Sequence, residues 1–180
     1  MTRIIRPLLA SAVALPLLVS VVQAQETQDQ QRFQVRVPGL VAINATNSLA
    51  EMEHDLTEAN QTFEWQPWQV TCNNVAGAIA TFETDQAFTH TTNASVKRDA
   101  FLFLSNASGS IFLASDDWRV THFADETDYK MGDGVAMVTA EVTGASDGKF
   151  LLRVVYLEEN LAETIAGDYE LTVIGTITPK

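Results

Sequence analysis

The stretch VAMVTAEVT at residues 135–143, followed by GASDG at 144–148 and KFLLRVVYLE at 149–158, decides the fold. Both runs alternate in polarity, and side chains two positions apart on a strand lie on the same face of a sheet. Asp147-Gly148 is a dipeptide that readily adopts the positive φ values of tight hairpin turns. The sequence therefore predicts two antiparallel strands paired around a short loop. One strand would direct inward Ala136, Val138, Ala140 and Val142, and the other Phe150, Leu152, Val154 and Tyr156.

Outward from this stretch, short runs rich in aromatic or β-branched residues are bounded by Gly, Pro, Asn, Asp or Ser, which is typical of strands. They predict strands at 33–37, 40–44, 65–72, 77–83, 100–105, 110–114, 118–123 and 168–178. One segment differs, because Ser48 and Glu51 have capping-box spacing ahead of apolar residues on one helical face. This pattern predicts a short helix at 49–56, whereas 157–165 is interpreted as a strand end and loop.

The spacing of these strands, with no βαβ alternation, predicts an all-β fold. We expect an antiparallel immunoglobulin-like β-sandwich of about seven to nine strands with at most one short helix. It would occupy residues 32–180 as a single domain. The preceding residues 25–31 (QETQDQQ) contain no apolar side chain and are expected to form a disordered lead.

Residues 1–24 have the pattern of a secretory signal peptide. Arg3 and Arg6 precede an apolar stretch at 8–22, and Ala24 supplies a small side chain at the expected cleavage point. The alternative, a membrane anchor, needs about 20 apolar residues, and this stretch is shorter and interrupted by Pro16. We therefore expect an exported protein, secreted, periplasmic or on the cell surface, with no membrane insertion after processing.

The chain is acidic, with 11 Lys and Arg against 23 Asp and Glu and a net charge of −12. Loss of residues 1–24 would remove two of the cations. Binding to a phosphate backbone requires a basic footprint, so the composition excludes nucleic acid as a partner and disfavours anionic lipid. The charge is interpreted as an aid to solubility, with divalent cations or a basic partner as the alternative.

The sequence contains no recognisable catalytic pattern. Cys72 is the single cysteine, so it cannot form an intramolecular disulfide, and it is interpreted as a small buried residue rather than a nucleophile. His54, His90 and His122 show no diagnostic spacing with a nucleophile, and no H-E-x-x-H or C-x-x-C pattern occurs. We predict that the protein is not an enzyme and needs no cofactor; a hydrolase with a dispersed site is the least favoured hypothesis.

The segment DETDYKMGDG at 125–134 is the one local cluster that could bind a metal. Calcium takes a set of oxygen ligands at about 2.3–2.6 Å on a tightly turning backbone. The candidate ligands are Asp125, Asp128 and Asp133. Their spacing differs from that of an EF-hand, and Gly-Asp-Gly at 132–134 is also an ordinary turn, so a solvated loop is favoured over a calcium site.

Three tryptophans offer a second binding hypothesis. Trp65, Trp68 and Trp118 could stack on a sugar ring if two of the indoles were exposed in one plane. Burial in the core is the favoured interpretation, because large aromatic side chains contribute most when they are removed from water.

The segment AGDYELTVIGTI at 166–177 resembles the closing strand of secreted bacterial spore-coat-U-like and fimbrial-subunit-like proteins, which commonly end in an A-G-x-Y run followed by alternating Thr and Val. A signal peptide directly before a β-rich domain is similar as well, although the chain has no paired cysteines. The resemblance implies an immunoglobulin-like subunit of an extracellular assembly. Such subunits would associate by strand addition at an exposed sheet edge.

These observations predict a structural or adhesive surface protein, with a role as a subunit of an extracellular assembly as one form of that function. Its partners would be further copies of itself or other surface proteins, bound through sheet edges. The alternative is a carbohydrate- or calcium-binding β-sandwich module.

Overall fold

A computed structural model describes residues 29–107 and 118–180. The predicted signal peptide, the first part of the predicted lead and the predicted strand at 110–114 lie outside the described residues. The chain divides into two units, Met1–Arg36 and Val37–Lys180. In the first unit, residues 29–36 are exposed and carry no secondary structure. All strands of the described chain belong to the second unit.

The second unit is built from strands, with one 3₁₀ turn at Leu161–Glu163 as the only helical element among the described residues. The first strands along the chain are β1 Val41–Ala45, β2 Gln61–Thr62, β3 Gln66–Cys72, β4 Ala78–Thr84, β5 Phe88–His90, β6 Asn93–Arg98 and β7 Ala100–Asn106. They are followed by β8 Arg119–His122, β9 Ala124–Glu126, β10 Met137–Val142, β11 Ser146–Tyr156, β12 Tyr169–Glu170 and β13 Val173–Pro179.

These strands form three sheets, and every pairing between them is antiparallel. The six-stranded sheet has the order β1-β3-β11-β7-β9, with β2 also paired to β11. The four-stranded sheet has the order β13-β4-β10-β8, and the small sheet has the order β12-β5-β6. The predicted all-β, antiparallel class is therefore confirmed.

The main core lies between the two larger sheets. Leu104 of β7 and Phe150 of β11 enter it from the six-stranded sheet, and Phe82 of β4 and Val138 of β10 enter it from the four-stranded sheet. The rings of Phe82 and Phe150 meet edge to face, with 5.8 Å between their centroids, a favoured aromatic geometry. Two sheets that share one core are consistent with a β-sandwich, whereas its immunoglobulin-like type stays a prediction.

The chain passes from one large sheet to the other between β8 and β9. β8 pairs with β10 in the four-stranded sheet, and β9 pairs with β7 in the six-stranded sheet. Only Phe123 separates them, and its carbonyl accepts a hydrogen bond of 2.7 Å from the Leu104 amide. The backbone thus turns a corner between the sheets while its polar groups remain paired.

A second, smaller core lies beneath the three-stranded sheet. Phe88, Ala100 and Tyr156 are buried there, with Phe63 and Tyr169 packed against them. Tyr156 reaches this core because β11 is long enough to extend past the main core, where Phe150 and Leu152 are buried.

The predicted hairpin between 135–143 and 149–158 is wrong, although both strands exist. β10 pairs with β4 and β8, and β11 pairs with β2, β3 and β7. The alternating faces were predicted correctly: Val138 and Val142 are fully buried, as are Phe150 and Leu152. The two strands therefore belong to different sheets, and the connection between them crosses from one sheet to the other.

The hairpin prediction failed because Asp147-Gly148 forms part of β11 and not a turn. Gly148 does not have a positive φ. A Cβ atom at position 148 would lie 2.7 Å from Trp118 Cδ1 and 2.8 Å from Val70 Cγ2. The residue is a glycine because the Trp118 ring packs directly against the backbone.

Two further predictions of local structure are wrong. Residues 33–37 form no strand and residues 49–56 form no helix, because an alternating or helical pattern needs a surface on which to bury its apolar face. The predicted strand at 168–178 is divided into β12 and β13, which pair with different sheets. Four short strands, β2, β5, β6 and β9, were not predicted. No helix of the described residues is long and apolar enough to cross a membrane.

Candidate functional site

A groove of about 610 Å³ lies beside the second core. One wall is the segment 49–56, the other wall is the segment 164–170, and the floor contains Phe63, Phe88 and Tyr156. Its volume is within the range of about 300–1,000 Å³ that small-molecule sites occupy. We call this feature the aromatic groove.

Contacts between rings fix the floor of the aromatic groove. Phe63 stacks on Phe88 with 5.9 Å between centroids and an interplanar angle of 8°. The Tyr156 ring lies 5.3 Å from Phe88 and 5.7 Å from Tyr169. Strand pairing positions these residues: β12 aligns Tyr169 with His90 of β5, and β11 ends at Tyr156. Contacts between rings therefore join the three floor residues to one another and to Tyr169 of the second wall.

The Tyr156 hydroxyl is a buried polar group close to the Thr164 side chain and the Glu158 carboxylate. The residue is only 6% exposed, and the hydroxyl has no hydrogen-bond partner among the described residues. Burial, together with the nearby Glu158 carboxylate, raises the pKa of Tyr156 to about 12. The hydroxyl is therefore protonated at neutral pH and can donate or accept a hydrogen bond.

Glu158, just beyond β11, anchors both walls of the groove through a buried polar cluster. Its side chain is completely buried, and its carboxylate accepts hydrogen bonds from the Thr164 hydroxyl at 2.9 and 3.0 Å and from the Asn160 amide at 3.1 Å. Arg98 Nε lies 3.6 Å from the same carboxylate, and His54 Nε2 lies 3.2 Å from it. His54 belongs to one wall and Thr164 to the other. A buried carboxylate requires such partners, so Glu158 ties the two walls together.

The histidines of this region are fully engaged by the protein. His54 contacts Glu158 through Nε2 and accepts a hydrogen bond of 2.9 Å from the Leu56 amide through Nδ1. His90 is buried; its Nδ1 accepts from the Thr92 amide and its Nε2 lies 3.3 Å from the Ala166 carbonyl oxygen. Neither ring has a free nitrogen for proton transfer to a substrate. These imidazoles hold loops in place.

Backbone strain lies in the first wall. Leu56 has φ 59°, the left-handed region, and no other non-glycine residue of the described chain has a positive φ. Such a conformation is costly for a bulky side chain. The His54–Leu56 hydrogen bond holds this turn, so the polar cluster under the groove also stabilises a strained segment of its wall.

The predicted calcium ligands lie elsewhere. The Asp125 carboxylate accepts hydrogen bonds from the amides of Glu126 and Met137. Asp128 and Asp133 form an isolated β-bridge that closes the turn, and the Asp128 carboxylate accepts from the Met131 amide. Across 29–107 and 118–180, no group of three or more His, Cys, Asp or Glu side chains is arranged to hold a metal ion. A calcium site at this loop stays a prediction.

The three tryptophans do not share one exposed plane. Trp118 is buried in the main core, and Trp68 packs edge to face on Phe82 with 5.2 Å between ring centroids. Trp65 is half-buried, and the guanidinium of Arg153 lies 3.9 Å from the centre of its ring. Two of the indoles thus belong to the packing of the sheets, and the face of the third carries a cation.

The sheet edges provide a different kind of functional surface. Within 29–107 and 118–180, β1 pairs only with β3 and β13 pairs only with β4, so each of them is an end strand of its sheet. Separately, the segment 33–37 keeps a strand-like alternation without belonging to any strand. Phe33, Val35 and Val37 are 84%, 88% and 77% exposed, respectively. Three apolar side chains at such exposure are unusual for a single run of five residues.

Sequence reasoning placed Tyr156 on an inward face but did not single out the groove. Glu158 continues the period-two series that runs through Phe150, Leu152, Val154 and Tyr156, and a carboxylate in that register is a signal of a buried charge. Phe63, Phe88 and His54 carried no comparable signal, because contacts between distant segments bring them together.

The chain matches no protein family model, and no curated protein is significantly similar to it in sequence.

Proposed function

We propose that this chain is an exported structural or adhesive protein of the cell surface, without enzymatic activity, that associates with further copies of itself through its sheet edges. The signal-peptide pattern of residues 1–24 supports export. The antiparallel architecture supports association by strand addition. The immunoglobulin-like type of sandwich and the likeness of 166–177 to the closing strand of secreted assembly subunits belong to the same proposal.

One observation carries this proposal: the segment 33–37 has strand alternation and exposed apolar side chains but belongs to no strand. A strand pattern is stable only when main-chain groups pair and one face is buried. β1 and β13 are end strands of the two larger sheets and each pairs with one strand among the described residues, so we take them as the edges that would accept a further strand. In an assembly, the segment of one copy would add to such an edge of a second copy.

Light scattering of the purified protein over a range of concentrations tests the proposal. We expect the mean mass to rise with concentration. The double variant Phe33→Gln, Val35→Gln should shift the distribution towards monomer, because it removes apolar side chains that association would bury. Gln34→Ala is the matched control on the opposite side of the same segment and should associate as the wild type does.

Two results would contradict the proposal at different levels. A wild-type protein that stays strictly monomeric at high concentration would remove self-association as its function. Association that is unchanged in the double variant would show that the segment 33–37 takes no part in the contact.

A further inference from the structure

The segment 32–37 (RFQVRV) carries charge as well as apolar surface. Its two arginines, Arg32 and Arg36, alternate with the three exposed apolar residues of 33–37. An extended backbone would therefore place the cations on one face and the apolar side chains on the other. Neither arginine forms an ion pair among the described residues. A surface that matches this segment would offer an apolar floor to one face and negative charge to the other.

The aromatic groove has both features. Phe63 and Phe88 form part of its floor, and the apolar side chains of Leu49 and Ile165 are exposed on its two walls. A cleft lined by one sign of charge attracts the opposite charge, and the described lining of this groove contains neither lysine nor arginine. Each wall contributes two exposed carboxylates to it, those of Glu51 and Glu53 on the first wall and of Asp168 and Glu170 on the second.

An end strand also lines the groove. β12 is an end strand of the small sheet, and both of its residues belong to the second wall. Directly before β12, the Asp168 carbonyl accepts a hydrogen bond of 2.9 Å from the Thr91 amide. Main-chain groups alternate in direction along a strand, so the N–H and C=O of Tyr169 are directed away from β5. A further strand would pair on that side.

Charge distinguishes β12 from the end strands of the larger sheets. β1 (VAINA) and β13 (VIGTITP) contain no charged residue, so a segment added to either strand would find no carboxylate within it. β12 contains Glu170 and borders the acidic groove. Of these three end strands, β12 is thus the one whose surroundings complement the charge of the segment.

We propose that the segment 32–37 of one copy occupies the aromatic groove of a second copy. The segment lies extended along β12, with its three apolar side chains on the ring floor and its two arginines beside the carboxylates of the walls. This contact rests on the proposed function, because it uses the same segment to join two copies, but its acceptor is the groove beside β12 and neither β1 nor β13.

A synthetic peptide with the sequence of residues 31–38 (QRFQVRVP), blocked at both ends, locates the acceptor. The peptide is titrated into the ¹⁵N-labelled Phe33→Gln, Val35→Gln protein, whose own segment competes poorly because it lacks two apolar side chains. We expect amide shifts around Phe88 and Tyr169 and none along β1 or β13. A control peptide with the same two glutamines should bind at least about tenfold more weakly, since it has less apolar surface to bury.

An exchange of charge tests the pairing of the arginines with the walls. Addition of Glu51→Lys and Glu53→Lys to the labelled protein should weaken the wild-type peptide about tenfold, because attraction at two exposed positions is replaced by repulsion. A peptide with Arg32→Glu and Arg36→Glu should bind this lysine-containing protein more tightly than it binds the unchanged groove.

Light scattering connects the groove to self-association of the whole chain. In otherwise wild-type protein, Glu51→Lys with Glu53→Lys should shift the distribution towards monomer. Glu126→Lys with Asp147→Lys makes the same change in net charge at exposed positions outside the groove lining. This matched control should associate as the wild type does.

Three results would overturn the proposal. Absence of peptide shifts at the groove would exclude it as the acceptor, and if β1 or β13 responded instead, the proposed function would still stand. An acidic peptide that gains no affinity for the lysine-containing protein would remove charge from the contact. Peptide binding at the groove of a chain that is strictly monomeric as the wild type would place the segment in the groove of its own copy. Only this last result also contradicts self-association, so the two failures can be told apart.

Discussion

At the scale of single residues, Gly148 shows that a glycine in an Asp-Gly dipeptide can be required by side-chain packing and not by a turn. Asp-Gly is typical of a turn, but here the glycine lies within β11 and lets the Trp118 ring approach the backbone. Trp118 in turn packs edge to face on Phe150, with 5.8 Å between centroids. The absence of a side chain at position 148 thus leaves the space that the Trp118 ring occupies in the main core.

Gly148→Ala should destabilise the protein. The added methyl group would lie within 3 Å of Trp118 and Val70, and overpacking of this kind costs about 1–3 kcal/mol in the free energy of unfolding. Urea denaturation followed by tryptophan fluorescence measures the effect. Gly144→Ala is the control, because a Cβ atom there meets nothing within 4 Å, and it should change stability by less than about 0.5 kcal/mol. Equal stability of both variants would contradict the packing role of Gly148.

At the scale of elements, the pairing of β10 and β11 depends on the rest of the chain. Each has a well-defined apolar face, but β4 occupies the edge of β10 and β3 occupies the edge of β11. Two strands that are close in sequence often pair in one sheet. Alternatively, they can lie in two different sheets, with their apolar side chains facing one another across the core. The second arrangement occurs here because each strand is enclosed by partners on both sides.

The turn at Asp128–Asp133 provides a prediction on metal binding at this scale. If Asp125, Asp128 and Asp133 hold calcium, chelation with EDTA should lower the melting temperature, because an ion that binds only the folded state stabilises it. Restoring calcium should return the melting temperature to its original value. In the Asp128→Asn variant, EDTA should lower the melting temperature by less than it does in the wild type. Thermal unfolding with and without EDTA measures this. An unchanged melting temperature would exclude calcium as a structural ligand of the loop.

At the scale of the whole molecule, stability comes from burial between sheets and not from covalent links. Two larger sheets share one core, and a second core lies under the small sheet. Cys72 is the only cysteine in the sequence, and it is a free thiol, 3% exposed, in the main core. Its predicted role as a small buried residue is confirmed.

Reducing agents should therefore leave the melting temperature of the protein unchanged, even though the proposed export would bring it into an oxidising environment. The Cys72 thiol should react with a thiol reagent such as DTNB only when the main core opens, since access to a buried sulfur requires unfolding. Labelling rates measured with and without denaturant check this. Rapid labelling of the native protein would contradict the burial of Cys72.

The sequence predicted those features that depend on local period and turn chemistry. The inward faces of β10 and β11, most of the bounds of β3, β4 and β7, and the all-β class follow from alternation, which fixes the faces of a strand wherever it pairs. The burial of Glu158 could also have been inferred, because it keeps the register of Phe150 and Tyr156. The patterns at 33–37 and 49–56 led to a strand and a helix that do not form. A local pattern shows which face would be apolar, but it does not show whether the protein provides a surface on which that face can be buried.

By itself, then, the sequence determined the class of fold, the faces of the strands, the acidic charge and the single thiol. Only the tertiary structure decided which strands are neighbours, how β8 and β9 cross between sheets, and that Phe63, Phe88, Tyr156 and Glu158 meet beside one groove. The physical reason is that side-chain orientation repeats every two residues along a strand, whereas pairing and grooves arise from contacts between residues far apart in the chain, where no local period carries information.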